Sequence, residues 1–286
     1  MTTLDVDSIS AIFLSARNDG KYEGEHLETL QRLGKKRKLV LLAFAPKAAG
    51  TFFRTAIIHA IDGKIVRVTQ AQGGRDATPY LPTFVMYFSG GVTDNTLVAH
   101  IHMLALPANI HFLEAFDIRP IIMKRSIPDM LASYWDMLES DEEARKEGLN
   151  CHIPENFPQL SKTAKADFMV DILGPWYANY YNGWLSYAER DPESVCVLDY
   201  HSLRNDPAAT LKKALDHAGL PHTPQECAEA IEETWPFRKA FRYNKGETGR
   251  GASYFTPEHM ERLARLLGYY PNLAPYSAEL LGAGPQ

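Results

Sequence analysis

The sequence predicts an α/β fold: one domain over residues 1–286, with a mostly parallel central sheet flanked by helices and a P-loop-like strand-loop-helix unit. Three observations carry this. The run Leu39 to Ala45 is continuous and apolar, as a strand buried on both faces must be. A small-residue turn follows it, and then a segment whose apolar positions recur at helical spacing. Further runs of strand character, Thr96 to Met103, Arg119 to Lys124 and Ser194 to Asp199, alternate with helical patterns. That alternation implies parallel strands joined by right-handed crossovers.

In chain order, residues 1–36 read as a helical N-terminal extension: Ser8 to Ser15, a turn at Asn18-Asp19-Gly20, then Glu25 to Leu33. Gly34-Lys35-Lys36-Arg37 is a basic connector. Pro46 stops the first strand, Lys47-Ala48-Ala49-Gly50 turns the chain, and Thr51 opens a helix that Asp62-Gly63 ends. Residues 64–92, with Gly73-Gly74, Pro79, Pro82 and Gly90-Gly91, read as irregular. In the second strand His100 and His102 alternate, so both face one side. Pro107 and Asn109 lead into a short helix, His111 to Phe116, and Pro128-Asp129 opens a longer one that runs to Ser140.

Cys151 to Phe157 reads as a loop, and Lys165 to Glu189 as an aromatic-rich helix. Trp176, Tyr180 and Trp184 fall at i, i+4 and i+8, a spacing that favours core packing. Tyr200 ends the fourth strand. Amphipathic helices follow at Pro207 to Ala218 and Glu226 to Thr234. Residues 236–256 form a basic, glycine-containing loop with Arg238, Lys239, Arg242, Lys245 and Arg250, and Pro257 to Leu267 is the last clear helix.

The 286 residues are 45% hydrophobic and 23% charged, a globular balance that supports one large core. A net charge of −5 argues against a general nucleic-acid surface and leaves room for a local basic pocket. Cys151, Cys196 and Cys227 are odd in number and far apart, which suits a reducing compartment and neither a disulfide framework nor a zinc site. Ile9 to Ala16 is apolar but too short to span a membrane, and aspartates precede it where a signal peptide carries positive charge. The expectation is a cytoplasmic protein with no membrane span and no nucleic-acid partner.

In an open parallel sheet, ligands bind outside the carboxyl ends of the strands. Lys47 and Gly50-Thr51 follow the first strand, His102 lies at the end of the second, Arg125 follows the third and Tyr200 the fourth. A buried strand, a tight loop and a helix N-terminus make an anion site, to which Lys47 adds a formal charge. The usual nucleotide loop, G-x-x-x-x-G-K-[ST], is absent, because the lysine here precedes the glycine by three. Many strand-loop-helix units hold no phosphate, so the loop alone does not decide. Ser133 lies eight residues after Arg125, two helical turns, a span that a ligand group lying along the helix can bridge. Read singly, Arg125 is an ion-pair partner and Ser133 a helix hydroxyl bonded to its own backbone.

Taken together, these residues resemble the cytosolic-type sulfotransferases that use 3′-phosphoadenosine 5′-phosphosulfate (PAPS). Pro46-Lys47-Ala48-Ala49-Gly50-Thr51-Phe52 is similar to that family's 5′-phosphosulfate loop. Arg125 through Tyr134 is similar to its 3′-phosphate motif, with the arginine-to-serine spacing kept. Leu198 through Leu203, containing Tyr200, resembles the segment that helps hold adenine, and Gly174-Pro175-Trp176 the helix bordering it. Asn244-Lys245-Gly246-Glu247-Thr248-Gly249, followed by Phe255-Thr256, matches the late glycine loop. Asn244 stands where the family often has arginine, with Arg242 and Arg250 as candidates for its share. The family's short C-terminal dimerisation motif is not evident, so the oligomeric state stays open.

The resemblance implies a donor site of Lys47, Ala48, Ala49, Gly50, Thr51, Phe52, Arg125, Ser133, Tyr200, Lys245 and Gly246. It implies transfer of a sulfuryl group from PAPS to a hydroxyl or amine of a small, apolar or aromatic acceptor, with no metal required. His102 is the expected general base, His100 the runner-up, and Lys47 the group that neutralises charge at the bridging oxygen. Two other readings stay open: a P-loop-type nucleotide-dependent kinase, and a non-catalytic nucleotide-binding protein.

Overall fold

The computed structural model describes residues 24–35, 37–69, 78–88, 95–147, 151–237 and 248–283, with Ala11 and Tyr22. Among these, five strands form one sheet in the order β2-β3-β1-β4-β5, with every neighbouring pair parallel. The strands are β1 (Leu39–Leu42), β2 (Lys64–Ile65), β3 (Leu97–His100), β4 (Ile121–Lys124) and β5 (Cys196–Asp199). Leu39 pairs with Leu97 on one side of β1, and Leu42 with Ile121 on the other. The flanking helices are α1 (Gly24–Gly34), α2 (Gly50–Ile61), α3 (Leu81–Phe88), α4 (Pro107–Ala115), α5 (Ile127–Ser140), α6 (Glu142–Glu147) and α7 (Lys162–Phe168). The series continues with α8 (Gly174–Arg190), α9 (Tyr200–Asn205), α10 (Pro207–His217), α11 (Pro224–Thr234), α12 (Pro257–Gly268) and α13 (Ser277–Leu280). Buried apolar side chains form one continuous core, from Leu30 and Leu33 of α1 to Leu280 of α13. No helix among the described residues is long and apolar enough to cross a membrane.

The parallel sheet follows the alternation in the sequence, and several boundaries move. The ladder of β1 ends at Leu42, while Ala43, Phe44 and Ala45 stay fully buried as they leave the sheet. The apolar run there measures burial rather than strand length. Of the N-terminal extension, α1 is described; apart from Ala11, the expected helix Ser8 to Ser15 and its turn lie outside the described residues.

Residues 64–92 are not wholly irregular. Lys64–Ile65 pairs as an edge strand with Leu97 and Val98, and α3 buries Leu81, Phe84, Val85 and Phe88. That i, i+3, i+4, i+7 stripe is a helical signal which Pro82 obscures; as an early helical residue, Pro82 loses no hydrogen bond.

The aromatic segment is helical from Lys162 to Arg190, interrupted by one wide π turn at Met169–Leu173. The Gly174 amide there bonds to the carbonyl of Met169, five residues back. Pro175 supplies the reason: it has no N–H, and its ring would strike the carbonyl four residues back in a regular helix. Tyr200 opens α9 rather than ending a strand, because Asp199 caps that helix by accepting from the amides of His201 and Ser202.

Gly34 ends α1 against the turn after α4. A Cβ on Gly34 would lie 2.0 Å from the carbonyl oxygen of Phe116, so the backbone has to move to admit one. Gly34→Ala gains about 1 kcal/mol of helix propensity at most, against about 1–3 kcal/mol for overpacking. The expected outcome in urea denaturation is a lower midpoint and a net loss of about 1–2 kcal/mol; an unchanged or raised midpoint would contradict this packing.

Candidate active site at the carboxyl ends of the strands

Beyond β1 the chain passes through Pro46-Lys47-Ala48-Ala49 and enters α2. Lys47 and Ala49 both hold left-handed conformations, with φ of 65° and 64°. Such conformations cost non-glycine residues about 1–3 kcal/mol each and persist where the surroundings enforce them, often at ligand sites. Ala49 is the N-cap of α2 and provides no side-chain acceptor, where most helices carry Ser, Thr, Asp or Asn. The positive end of the helix dipole therefore faces the loop without a capping side chain, which suits an anion. Gly50 is demanded by space: a Cβ would sit 2.3 Å from Nε2 of His100.

His100 thus lies under the loop, and its ring meets that of His102 edge-on, with centroids 4.8 Å apart. Nδ1 of His102 is 2.7 Å from the carbonyl oxygen of Phe44. A carbonyl only accepts, so Nδ1 carries the proton and Nε2 is the basic nitrogen of the neutral ring. His102 lies two residues past the end of β3, not within it.

Arg125 joins the pieces. Its Nη1 donates to the carbonyl of Lys47 at 2.6 Å, and its guanidinium carbon sits 4.0 Å from the centroid of the Tyr200 ring. Nζ of Lys47 lies 3.7 Å from Sδ of Met137 on α5. The loop after β1, Arg125 after β4 and Tyr200 after β5 therefore form one wall, and His102 joins it through Phe44. Ala48 is fully buried, Thr51 half-buried, and Phe52 is buried edge-on against the exposed Trp235, 5.9 Å away. Ser133 is buried on α5.

Lys245 and Gly246, with Asn244 and Arg242, lie outside the described residues. Arg250 is described and nearly buried, with its guanidinium paired to Asp136 and close to the Tyr254 hydroxyl.

A cavity of about 340 Å³ adjoins this wall, lined by Arg125, Asp129, Tyr200, Thr248, Gly249 and Glu279 among others. Along it the Lys124 ammonium meets Glu279 at 2.6 Å; burial, with Asp199 nearby adding to it, holds that carboxyl above its ordinary range despite the lysine. The sequence places Asp129 at a helix start and inside the stretch that resembles the 3′-phosphate motif, and names no partner for it. Its two oxygens accept the amides of Gly251 and Gly249, each at 2.9 Å, and so tie the end of the basic loop to the start of α5. Its partners lie some 120 residues away in sequence, and no local pattern announces them.

Residues 93–256, more than half of the chain, match the family described as the Sulfotransferase domain. The flavonol 3-sulfotransferase of Flaveria bidentis is 23% identical over 199 residues, which span 59% of this chain and 58% of that protein. The match thus covers less than two thirds of that relative's length. The crystal structure of mouse sulfotransferase SULT7A1 complexed with PAP shares the fold, with a TM-score of 0.65 at 15% identity over 91% of this chain and 94% of that one. With its parallel sheet and the match across more than half its length, the chain belongs to the sulfotransferase family.

Proposed function

We propose that this protein is a PAPS-dependent sulfotransferase, acting in the cytoplasm as one catalytic unit on a small apolar or aromatic hydroxyl compound. The observation that carries this reading is Arg125: in a chain of this family, it spans from the carbonyl of the Lys47 loop to the ring of Tyr200 across the carboxyl ends of the strands. Flavonol in the name of the plant relative, and PAP bound to the mouse protein, are consistent with an aromatic acceptor and an adenine nucleotide donor.

The residues fit such a donor. The strained turn at Lys47 and Ala49, the uncapped helix start and the glycine over His100 make a cradle for one anionic group. Arg125 and Ser133 take the second phosphate, Tyr200 borders the base, and Lys245 and Gly246 add to the donor contacts. The donor supplies the sulfuryl group. His102, with Nδ1 held by Phe44, takes the acceptor proton at Nε2 as the oxygen attacks sulfur. Lys47 and the amides of Gly50, Thr51 and Phe52 meet the charge that grows on the departing phosphate oxygen. None of these steps needs a covalent enzyme intermediate.

Titration calorimetry with 3′-phosphoadenosine 5′-phosphate in EDTA tests the donor. Wild type should bind at micromolar affinity, and Arg125→Ala should weaken binding by about 1.5–3 kcal/mol, roughly ten- to 150-fold, as expected for a lost charge-assisted contact. Binding only of ATP with Mg²⁺ would replace this reading with the kinase one. For the base, His102→Ala should cut the rate of sulfate transfer from PAPS to a phenol about 10²- to 10⁴-fold while leaving nucleotide affinity near wild type. A variant that keeps its rate would remove His102 from the chemistry.

A further inference from the structure

Helix α8 reaches the site with four polar-tipped aromatic side chains. The Tyr177 hydroxyl donates to the carbonyl of Pro46 at 3.1 Å and that of Tyr180 to Ala43 at 2.6 Å. The Tyr181 hydroxyl donates to the carbonyl of Arg125 at 2.7 Å and accepts the Arg125 amide at 2.8 Å. The Trp184 indole N–H donates to the carbonyl of Met103 at 2.8 Å. All four side chains are fully buried. Their spacing, i, i+3, i+4 and i+7, puts them on one face of the helix.

Three of the four partners are, or adjoin, a residue that the proposed reaction uses, Ala43 being the exception. Pro46 precedes Lys47, Met103 follows His102, and Arg125 is itself the proposed phosphate ligand. A helix needed only for its apolar bulk would be served by phenylalanine, which carries no polar group to desolvate. Here every polar tip is spent on a main-chain group at a strand end. Burial also holds the Tyr180 and Tyr181 phenols well above the ordinary tyrosine range, so both remain donors. Tyr187, on the same helix beyond Trp184, bonds instead to the Glu114 carboxylate on α4, away from these strand ends.

We infer that Tyr177, Tyr181 and Trp184 are positioning residues: through their hydrogen bonds, α8 sets the relative placement of the Lys47 loop, Arg125 and the His102 segment. This rests on the donor reading above. Each bond acts on a different element, so the three contributions are separable, whereas general packing would not be.

The test compares full-length Tyr181→Phe, Trp184→Phe and the control Tyr187→Phe, each by amide hydrogen exchange and by calorimetric titration with 3′-phosphoadenosine 5′-phosphate. Tyr181→Phe should speed exchange in residues 121–127 and weaken nucleotide binding about tenfold. Trp184→Phe should speed exchange in residues 101–105 and leave nucleotide affinity within about threefold. Tyr187→Phe should do neither, whatever its thermal midpoint. The inference is overturned if all three variants lose affinity alike, or if Tyr181→Phe binds nucleotide as tightly as Tyr187→Phe does. A wild type that binds no nucleotide overturns the donor reading, and this inference with it, before any variant is compared.

Discussion

A parallel sheet leaves main-chain carbonyls without ladder partners where its strands end, and a buried carbonyl without a partner costs about 1–3 kcal/mol. In this protein those carbonyls fall at the site, and side chains meet them. Ala43, Pro46, Met103 and Arg125 are reached from α8, Phe44 from His102, and Lys47 from Arg125. On the inference above, the same bonds that satisfy the strand ends also set where Lys47, Arg125 and His102 stand. Folding and site geometry are one problem here, solved by one set of contacts.

The loop after β1 shows how much is invested in that geometry. Two non-glycine residues sit at positive φ, a helix starts without a capping side chain, and a glycine closes onto a histidine ring. The two left-handed residues and the bare helix start are locally unfavourable, and they place the turn at the positive end of a helix. The ring of His100 beneath the loop and its edge contact with His102 bring the anion cradle and the proposed base together.

Much of this was legible in the sequence, because buried strands and helix faces leave local periodic marks. Leu39 to Ala45 announced the central strand, the order of elements implied parallel pairing, and the residues just past each strand, Lys47, His102, Arg125 and Tyr200, fell where open parallel sheets bind ligands. Five segments in order, from the Lys47 loop to the late glycine loop with Phe255-Thr256, carried the family resemblance. What stayed hidden depends on distance in sequence. Asp129 binds amides at Gly249 and Gly251, and Tyr180 and Trp184 read as core because their apolar bulk is core; only their polar tips do something else. Helix α3 was masked by Pro82, a residue that breaks patterns in sequence yet costs nothing at a helix start.

The most direct measurement is a crystal structure of the protein with 3′-phosphoadenosine 5′-phosphate. The account predicts the 5′-phosphate on the amides of residues 48–52 beside Lys47, the 3′-phosphate at Arg125 and Ser133, and His102 Nε2 facing the open side of the 5′-phosphate. A nucleotide lodged elsewhere, or one whose phosphates leave both Arg125 and the Lys47 loop untouched, would contradict it.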